Sequence, residues 1–301
     1  MGITYIDGDW VDDADATVNV RSRALNYGLG CFAGIRGYLA DDGEQVYVFR
    51  LDRHIHRLGY QAKILHLKLP DPAVVRDILL ELLRRNEAHY DVYMRPLLLH
   101  NSNELAPILD PSTTSFLAYT MPLSRYLSDD PINVCVSSWR RSSDNAVPAR
   151  AKPTGGYVNS ALARQEALDN GFDEAIMLTD AGKVSEGSAE HIFLVRDGVL
   201  FSPPSTEDNL DGITRQSLIS LATQDLGLEF VERPIGRTEL YSADEIFLCG
   251  TGAEVTPVAS VDRRNVGDGS IGATTKLIRQ HYDDVTHGRV EHRMEWLTPV
   301  W

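Results

Sequence analysis

The chain contains a short, glycine-bearing loop with one lysine, Ala151-Lys152-Pro153-Thr154-Gly155-Gly156-Tyr157, directly ahead of a helical pattern. A lysine in a partly desolvated setting loses its proton readily, and its amine can then condense with an aldehyde. An isolated lysine is usually a solvated surface residue. Lys183, the other lysine nearby, lies in a predicted turn and fits that description. The loop context instead favours Lys152 as a reactive amine.

An acid and two loops downstream have complementary chemistry. Glu186, in Val184-Ser185-Glu186-Gly187, has small neighbours that let a ring approach its carboxylate, although alone it would be a common surface glutamate on a hairpin. Gly212-Ile213-Thr214-Arg215 and Gly250-Thr251-Gly252-Ala253 present backbone N–H groups at a helix start and a strand end, as a phosphate ester requires. Each loop is a weak signal by itself. Together with the lysine, these features describe a site for pyridoxal 5'-phosphate (PLP).

On these motifs the chain resembles the fold-type IV PLP aminotransferases, and most of all the branched-chain amino acid aminotransferases. In that family the glutamate follows the lysine by an interval similar to the one between Lys152 and Glu186. The similarity extends from Gly8 nearly to the C-terminus, and it includes Ser137-Ser138-Trp139, Leu200-Phe201-Ser202-Pro203-Pro204 and Ala253-Glu254-Val255-Thr256-Pro257-Val258. The resemblance implies an α+β protein of fold type IV, with a small α/β N-terminal domain and a larger C-terminal β pseudo-barrel domain with helices.

The resemblance also implies the site residues, with Lys152 as the catalytic residue. Tyr93 and Arg95 match residues that receive the distal carboxylate of glutamate, and Tyr27 matches a residue given across a dimer interface. As bare sequence, Tyr93 and Arg95 are equally a structural pair on one face of a strand. The implied cofactor-binding residues are Arg57, Lys152, Tyr157, Glu186, Ile213, Thr214 and Thr251. The implied substrate-binding residues are Tyr27, Phe32, Tyr93, Arg95, Tyr126, Thr251, Gly252 and Ala253.

Three positions depart from the branched-chain pattern. Ala33 stands where the family usually has a glutamate, the segment 101–106 replaces a Gly-Met-Gly-Val loop, and Leu123 stands where a pocket tryptophan is common. In the family these positions line the substrate pocket and determine specificity. Three other activities of the same fold therefore remain alternatives: a D-amino acid transaminase, an (R)-amine transaminase or an aminodeoxychorismate lyase. An alternative of another class is a vitamer-binding or scaffold protein, but binding alone needs no reactive lysine.

The composition and net charge of the chain limit the kinds of partner that it can bind. The chain has 301 residues and a net charge of −14, which would repel nucleic acid and anionic membrane. The three cysteines are scattered without a Cys-x-x-Cys pair, which predicts neither a zinc site nor a disulfide framework. The sequence shows neither the apolar core of a signal peptide nor an apolar run of membrane-spanning length. We therefore expect a cytoplasmic protein without a metal. The family implies a homodimer or higher homo-oligomer with shared active sites.

Local signals outline the elements that must position these residues. Strands are predicted at 46–49, 93–99, 133–138 and 245–249, and helices at 51–65, after Asp71-Pro72, from about 159 to Gly171, at 214–226 and at 274–282. Asp180-Ala181-Gly182 and Asp197-Gly198 predict tight hairpin turns. A polar, turn-rich stretch predicts an interdomain loop at 122–131, between domains at 1–121 and 132–301.

The sequence therefore predicts PLP-dependent transamination between an aliphatic, branched-chain-like L-amino acid and 2-oxoglutarate. Its partners are a small-molecule amino donor and an oxo acid acceptor.

Overall fold

The computed structural model describes residues 2–123 and 130–301 of the chain. Contacts divide the chain into two compact units: Met1–Ser124, Ala151–Gly155 and Asp284–Trp301 form the first, and Arg125–Arg150 and Gly156–Asp283 form the second. The predicted boundaries instead place 151–155 and 284–301 in the C-terminal domain. Most of the predicted interdomain loop lies outside the described residues.

The described residues contain the following strands and α-helices. The strands are β1 (Ile3–Ile6), β2 (Asp9–Asp12), β3 (Gly30–Phe32), β4 (Ile35–Leu39), β5 (Val46–Phe49), β6 (Val92–His100), β7 (Thr114–Pro122), β8 (Ile132–Arg140), β9 (Glu174–Leu178), β10 (Val184–Gly187), β11 (His191–Arg196), β12 (Val199–Ser202), β13 (Phe230–Glu232), β14 (Glu245–Gly250), β15 (Glu254–Val261), β16 (Arg264–Asn265) and β17 (Leu297–Pro299). The helices are α1 (Arg23–Tyr27), α2 (Leu51–Ile64), α3 (Pro72–Arg85), α4 (Tyr157–Asp169), α5 (Ile213–Ser220) and α6 (Ala273–Thr286).

The first unit is built on an antiparallel sheet. Its described strands follow the order β17-β5-β4-β6-β7-β1-β2, and β3 pairs with β6 as well. Helices α2 and α3 pack together, and α3 also contacts β1 and β7. The start of α3 follows the predicted signal, since the Asp71 side chain accepts from the Ala73 N–H at 2.8 Å and Pro72 occupies the first turn. Its apolar face is buried, at Val75, Ile78, Leu79, Leu82 and Leu83.

The second unit is built on a mixed sheet. The described strands follow the order β10-β9-β8-β15-β14-β11-β12-β13, with β16 beside β15. β8 runs parallel to both β9 and β15, and α4 packs on β8 and β9. Asp197 (φ 51°) and Gly198 (φ 78°) form the predicted turn between β11 and β12, and their positive φ values are those of a type I′ hairpin turn.

Helix α5 differs from its prediction. The sequence predicted one helix from Thr214 to Leu226, whereas the α-helix ends at Ser220 and a π-helical turn follows from Leu221 to Asp225. In that turn the Leu226 N–H donates to the Leu221 carbonyl, five residues back, at 3.0 Å. Gly227 ends the turn at φ 65°, as expected of a glycine after a helix.

Candidate active site

The loop that carries Lys152 is fixed to the turn after α1. The Thr154 hydroxyl donates to the Gly28 carbonyl at 2.9 Å, and the Gly155 N–H donates to the same oxygen at 3.1 Å. A Cβ on Gly28 would lie 2.5 Å from the Gly155 Cα, so a side chain there would force the two segments apart. Lys152 itself has a φ of 44°, a left-handed conformation that side chains rarely adopt. No local signal in the sequence indicated this non-local anchoring.

Phe32 brings Lys152 close to the predicted substrate residues. The Lys152 Nζ lies 5.1 Å from the centre of the Phe32 ring, and the Arg95 guanidinium lies 4.4 Å from that centre. The amine and the guanidinium therefore share one buried aromatic ring. Of the residues implied for substrate binding, the first unit thus assembles Phe32, Tyr93 and Arg95 beside the lysine.

Tyr93 and Arg95 lie on one face of β6 and are hydrogen-bonded to each other. The Arg95 Nη2 and Nε donate to the Tyr93 hydroxyl at 2.6 and 3.1 Å. Gly34 makes room for the phenol, because a Cβ at Gly34 would collide with the Tyr93 hydroxyl. The pair is therefore one fixed cationic group and not two independent side chains.

Helix α2 supplies buried groups to the same unit. Arg57, one of the implied cofactor-binding residues, is buried. His54 is buried one turn before it, and burial, then Arg57, then Lys152 and Arg50 hold the His54 pKa well below its usual range. His54 is one of the residues that sequence reasoning missed. Buried polar residues at helical spacing beside Arg57 were the available signal.

Tyr27 and Tyr126 are the remaining substrate candidates of the N-terminal half. Tyr27 has 39% of its surface exposed, and its hydroxyl accepts from the Ala106 N–H at 3.2 Å, in the unusual 101–106 segment. Tyr126 lies outside the described residues.

In the second unit, Glu186 is at the centre of a buried charged group. Its side chain is 4% exposed, the Arg141 Nη2 lies 2.7 Å from one carboxylate oxygen, and the His191 Nδ1 lies 3.5 Å from the other. The strand bulges between Val184 and Glu186, which changes the register of β10 against β9. Glu186 is therefore a protected carboxylate. Arg141 and His191 were not anticipated, because only the folded sheet brings β8, β10 and β11 together.

Glu190 is a second buried carboxyl in this unit. Its Oε2 accepts from the Ala189 N–H at 3.1 Å. Burial, and then the charge of Glu174, raise the Glu190 pKa to about 8. Glu186 contributes to the same rise. No motif in the sequence distinguished Glu190 from a loop glutamate.

The start of α5 has the properties of an anion site. Gly212 has extended dihedrals and no side-chain oxygen, so it leaves the N–H groups of the buried Ile213 and Thr214 uncapped by its own side chain. Gly212 is required there because a Cβ would collide with the His191 ring. Nearby, the buried Ser185 Oγ and Asn209 Oδ1 have no hydrogen-bond partner within the described ranges. Buried polar atoms of this kind are consistent with a polar ligand.

The other predicted loop connects β14 and β15. Gly250 pairs with Glu254, so Thr251, Gly252 and Ala253 form the hairpin turn. The Thr256 hydroxyl donates to the Ala253 carbonyl at 2.8 Å and stabilises the turn. Tyr157, the last predicted cofactor residue, begins α4 and is half-buried.

Membrane spans and metal clusters are both absent from the described part of the chain. Across 2–123 and 130–301, no helix has both the length and the apolar character needed to cross a membrane. The same ranges contain no group of three or more histidine, cysteine or acidic side chains arranged to hold a metal ion.

Comparison with known proteins identifies the family. Residues 30–261 match the model of amino-transferase class IV. A probable branched-chain-amino-acid aminotransferase of Aquifex aeolicus is 41% identical over all of this chain and 97% of its own length. The branched-chain-amino-acid aminotransferase of Salmonella typhimurium is 39% identical over 98% of this chain and 96% of its own length.

Solved structures agree with this match. The branched-chain aminotransferase of Thermoproteus uzoniensis with norvaline superposes with a TM-score of 0.95 at 41% identity, covering 100% of this chain and 99% of that one. The T.th. branched-chain amino acid aminotransferase complexed with N-(5'-phosphopyridoxyl)-L-glutamate gives 0.94 at 38% identity, with the same coverage. The predicted fold class is confirmed as fold type IV. The chain belongs to the class IV amino-transferase family.

Proposed function

We propose that this protein is a PLP-dependent aminotransferase that moves an amino group between aliphatic L-amino acids and 2-oxoglutarate. The observation that carries the proposal is the cluster in which Lys152 and the Arg95–Tyr93 pair meet on the Phe32 ring. One cationic pair and one apolar ring beside a reactive lysine suit substrates of two kinds. The relatives named above were solved with norvaline and with a phosphopyridoxyl glutamate, which are an aliphatic and an acidic ligand.

The cofactor is PLP, which when bound supplies an aldehyde and a ring that withdraws electrons from the substrate carbon. Lys152 would hold the cofactor through its aldehyde, and the Tyr157 hydroxyl would help to orient it. Arg57, Thr251 and the N–H groups of Ile213 and Thr214 would hold the phosphate. The uncapped start of α5 and the buried Arg57 fit this group, because both suit an anion. Glu186 would face the pyridine nitrogen and keep that nitrogen protonated.

The chemical roles follow from the types of side chain. The Lys152 amine would take the α-proton of the amino donor at Nζ and hold it for return later in the reaction. Glu186, paired with Arg141, presents a carboxylate without exposing it to water. Arg95 and Tyr93 bind the distal carboxylate of 2-oxoglutarate, and Phe32 packs on an aliphatic side chain. The N–H groups of the Thr251-Gly252-Ala253 turn bind the substrate's α-carboxylate.

The protein acts as a cytoplasmic homodimer or higher homo-oligomer in this proposal. Several large apolar side chains of the first unit are exposed in the single chain, among them Leu105 at 86%, Val20 at 76% and Leu25 at 61%. Exposed apolar groups of this number favour a protein interface. Tyr27 lies close in sequence to Val20 and Leu25, as expected of a residue that reaches the active site of a partner subunit. Light scattering on the purified protein would measure the mass directly.

The central experiment locates the lysine. Wild-type protein with PLP is expected to be yellow, and reduction with borohydride followed by peptide mapping should place the cofactor on Lys152. Lys152→Ala should form no reducible adduct although it still retains some cofactor, while Lys183→Ala, which changes an exposed lysine of the predicted turn, should behave as wild type. A label on Lys183 would contradict the assignment.

A donor panel then tests the substrate. L-amino acids, D-amino acids and chiral amines are each added to the yellow protein, and loss of visible absorbance is recorded. Aliphatic L-amino acids and glutamate are expected to bleach it. Bleaching by D-amino acids or (R)-amines alone would instead assign one of the other transaminase activities of the fold.

A further inference from the structure

Helix α2 carries a polar stripe that faces the protein interior. Its members are His54, Arg57 and Gln61, spaced three and four residues apart and therefore on one helix face. All three are buried, His54 with 2% of its surface exposed. A buried polar group costs free energy unless it is hydrogen-bonded, so the stripe requires partners. The proposed function so far uses only Arg57.

The His54 ring has a nitrogen without such a partner. Its Nδ1 is buried and makes no hydrogen bond to any residue that the structure describes. The charges that act on the ring come from Arg57, Lys152 and Arg50, all cations, and together with burial they keep the imidazole neutral. A neutral imidazole still has one N–H to donate. The environment is thus locally positive within a chain of net charge −14.

Such an environment favours an anion that accepts hydrogen bonds from several sides. A phosphate ester has three acceptor oxygens and can take a hydrogen bond from a guanidinium and from an imidazole at once. We propose that His54 is a further phosphate-binding residue, whose ring N–H donates to the cofactor's phosphate beside Arg57. This inference rests on the proposed function, because the phosphate is that of PLP.

The test separates phosphate binding from binding of the ring. The full chain, freed of cofactor, is titrated with PLP and with pyridoxal, which lacks the phosphate. His54→Leu is expected to weaken PLP binding by about tenfold, the usual effect of losing one hydrogen bond to a charged group, and to leave pyridoxal binding unchanged. His54→Gln, which keeps an N–H donor, should lose less. His56→Leu is the matched control, because His56 lies on the same helix but is exposed.

A stability measurement excludes a structural role. The Nδ1 of His54 makes no bond to the described residues, so His54→Leu should leave the cofactor-free melting temperature unchanged or raise it. A lower melting temperature would assign the ring to the core and overturn the proposal. Equal losses for PLP and pyridoxal, or no loss for either, would overturn it as well.

Failure of this inference is distinguishable from failure of the proposed function. If the wild-type protein forms no borohydride-reducible adduct with PLP, the proposed function fails. If it does, and Arg57→Gln loses the preference for PLP over pyridoxal while His54→Leu keeps it, only the role of His54 fails. Arg53→Gln, an exposed arginine on α2, serves as the control for Arg57.

Discussion

Arg141 and Glu186 form an ion pair of 2.7 Å in which the carboxylate is almost wholly buried. A buried charge is stable only while its partner remains, so removing either member leaves the other uncompensated. The carboxylate that the proposed chemistry requires is therefore maintained by a residue from another segment of the chain. Its function depends on Arg141 as much as on the Glu186 side chain itself.

We expect Glu186→Gln to keep the fold, because the amide oxygen can still accept from Arg141, and to reduce turnover by roughly a hundredfold or more, as when one preorganised electrostatic partner is removed. A neutral amide cannot hold the pyridinium proton. Single-turnover rates with saturating cofactor measure the effect. Glu229→Gln, at an exposed carboxylate of the same unit, is the control. Unchanged turnover of Glu186→Gln would refute the role.

Because Glu186 pairs with Arg141, the effects of substituting the two residues on turnover should not be additive. Arg141→Gln should also reduce turnover, and the double variant with Glu186→Gln should be little worse than the poorer single variant, since contacting residues do not contribute independently. Arg140→Gln, at the exposed neighbour, should behave as wild type. Additive losses in free energy would show that Arg141 acts elsewhere.

Arg95→Ala should raise KM for 2-oxoglutarate far more than KM for an aliphatic oxo acid. The reason is that the guanidinium, fixed by the Tyr93 hydroxyl, can bind a distal carboxylate that only 2-oxoglutarate has. We expect a difference of at least about tenfold, the value of one charged hydrogen bond. Steady-state kinetics with both acceptors test this, with Arg53→Ala as control. Equal changes for the two acceptors would make Arg95 a structural residue.

The raised pKa of Glu190 predicts that the free energy of unfolding depends on pH. A carboxyl whose pKa rises from 4.5 to about 8 in the folded protein binds a proton on folding. The contribution of this proton binding to the free energy of unfolding is therefore complete below pH 4.5 and is lost as the pH rises through 8. Glu190→Gln remains neutral, so its free energy of unfolding should exceed that of wild type above pH 8 and approach it near pH 4.5. Denaturant unfolding across this pH range measures the difference, and a pH-independent difference would contradict it.

Two glycine variants should change stability in opposite directions. Gly34→Ala places a methyl group against the Tyr93 hydroxyl and should lower the melting temperature and raise KM for 2-oxoglutarate. Gly59→Ala lies within α2 with its nearest neighbour, the Leu69 Cδ2, at 3.7 Å. Alanine is preferred in a helix by about 1 kcal/mol, so this variant should be more stable and equally active. A Gly34→Ala protein with unchanged KM would show that the Tyr93 position is not critical.

The elements that were predicted well are those whose sequence signals lie within or next to the element itself. Asp71-Pro72 begins α3, and Asp197-Gly198 makes the β11–β12 turn, because each signal acts on its own backbone. The π-helical turn after α5 was missed, since no local residue type distinguishes it from a continued helix.

The same division applies to the candidate site. The loops around Lys152 and Glu186 have motifs, and their chemistry was predicted from them. Arg141 and His191 acquire their relation to Glu186 only when the sheet assembles, and no spacing in the sequence encodes that contact. The anchoring of the Lys152 loop on Gly28 is equally non-local.

All three cysteines are buried on strands, and burial raises the pKa of Cys31 to about 12 and that of Cys135 to about 11, with that of Cys249 raised further. The thiolate is the form that reacts with alkylating reagents, so the native protein should resist them at neutral pH. Modification then reports transient opening of the strand concerned. Cys31 on β3 and Cys249 on β14 belong to different units, so the natural sequence already contains separate probes for the unfolding of each.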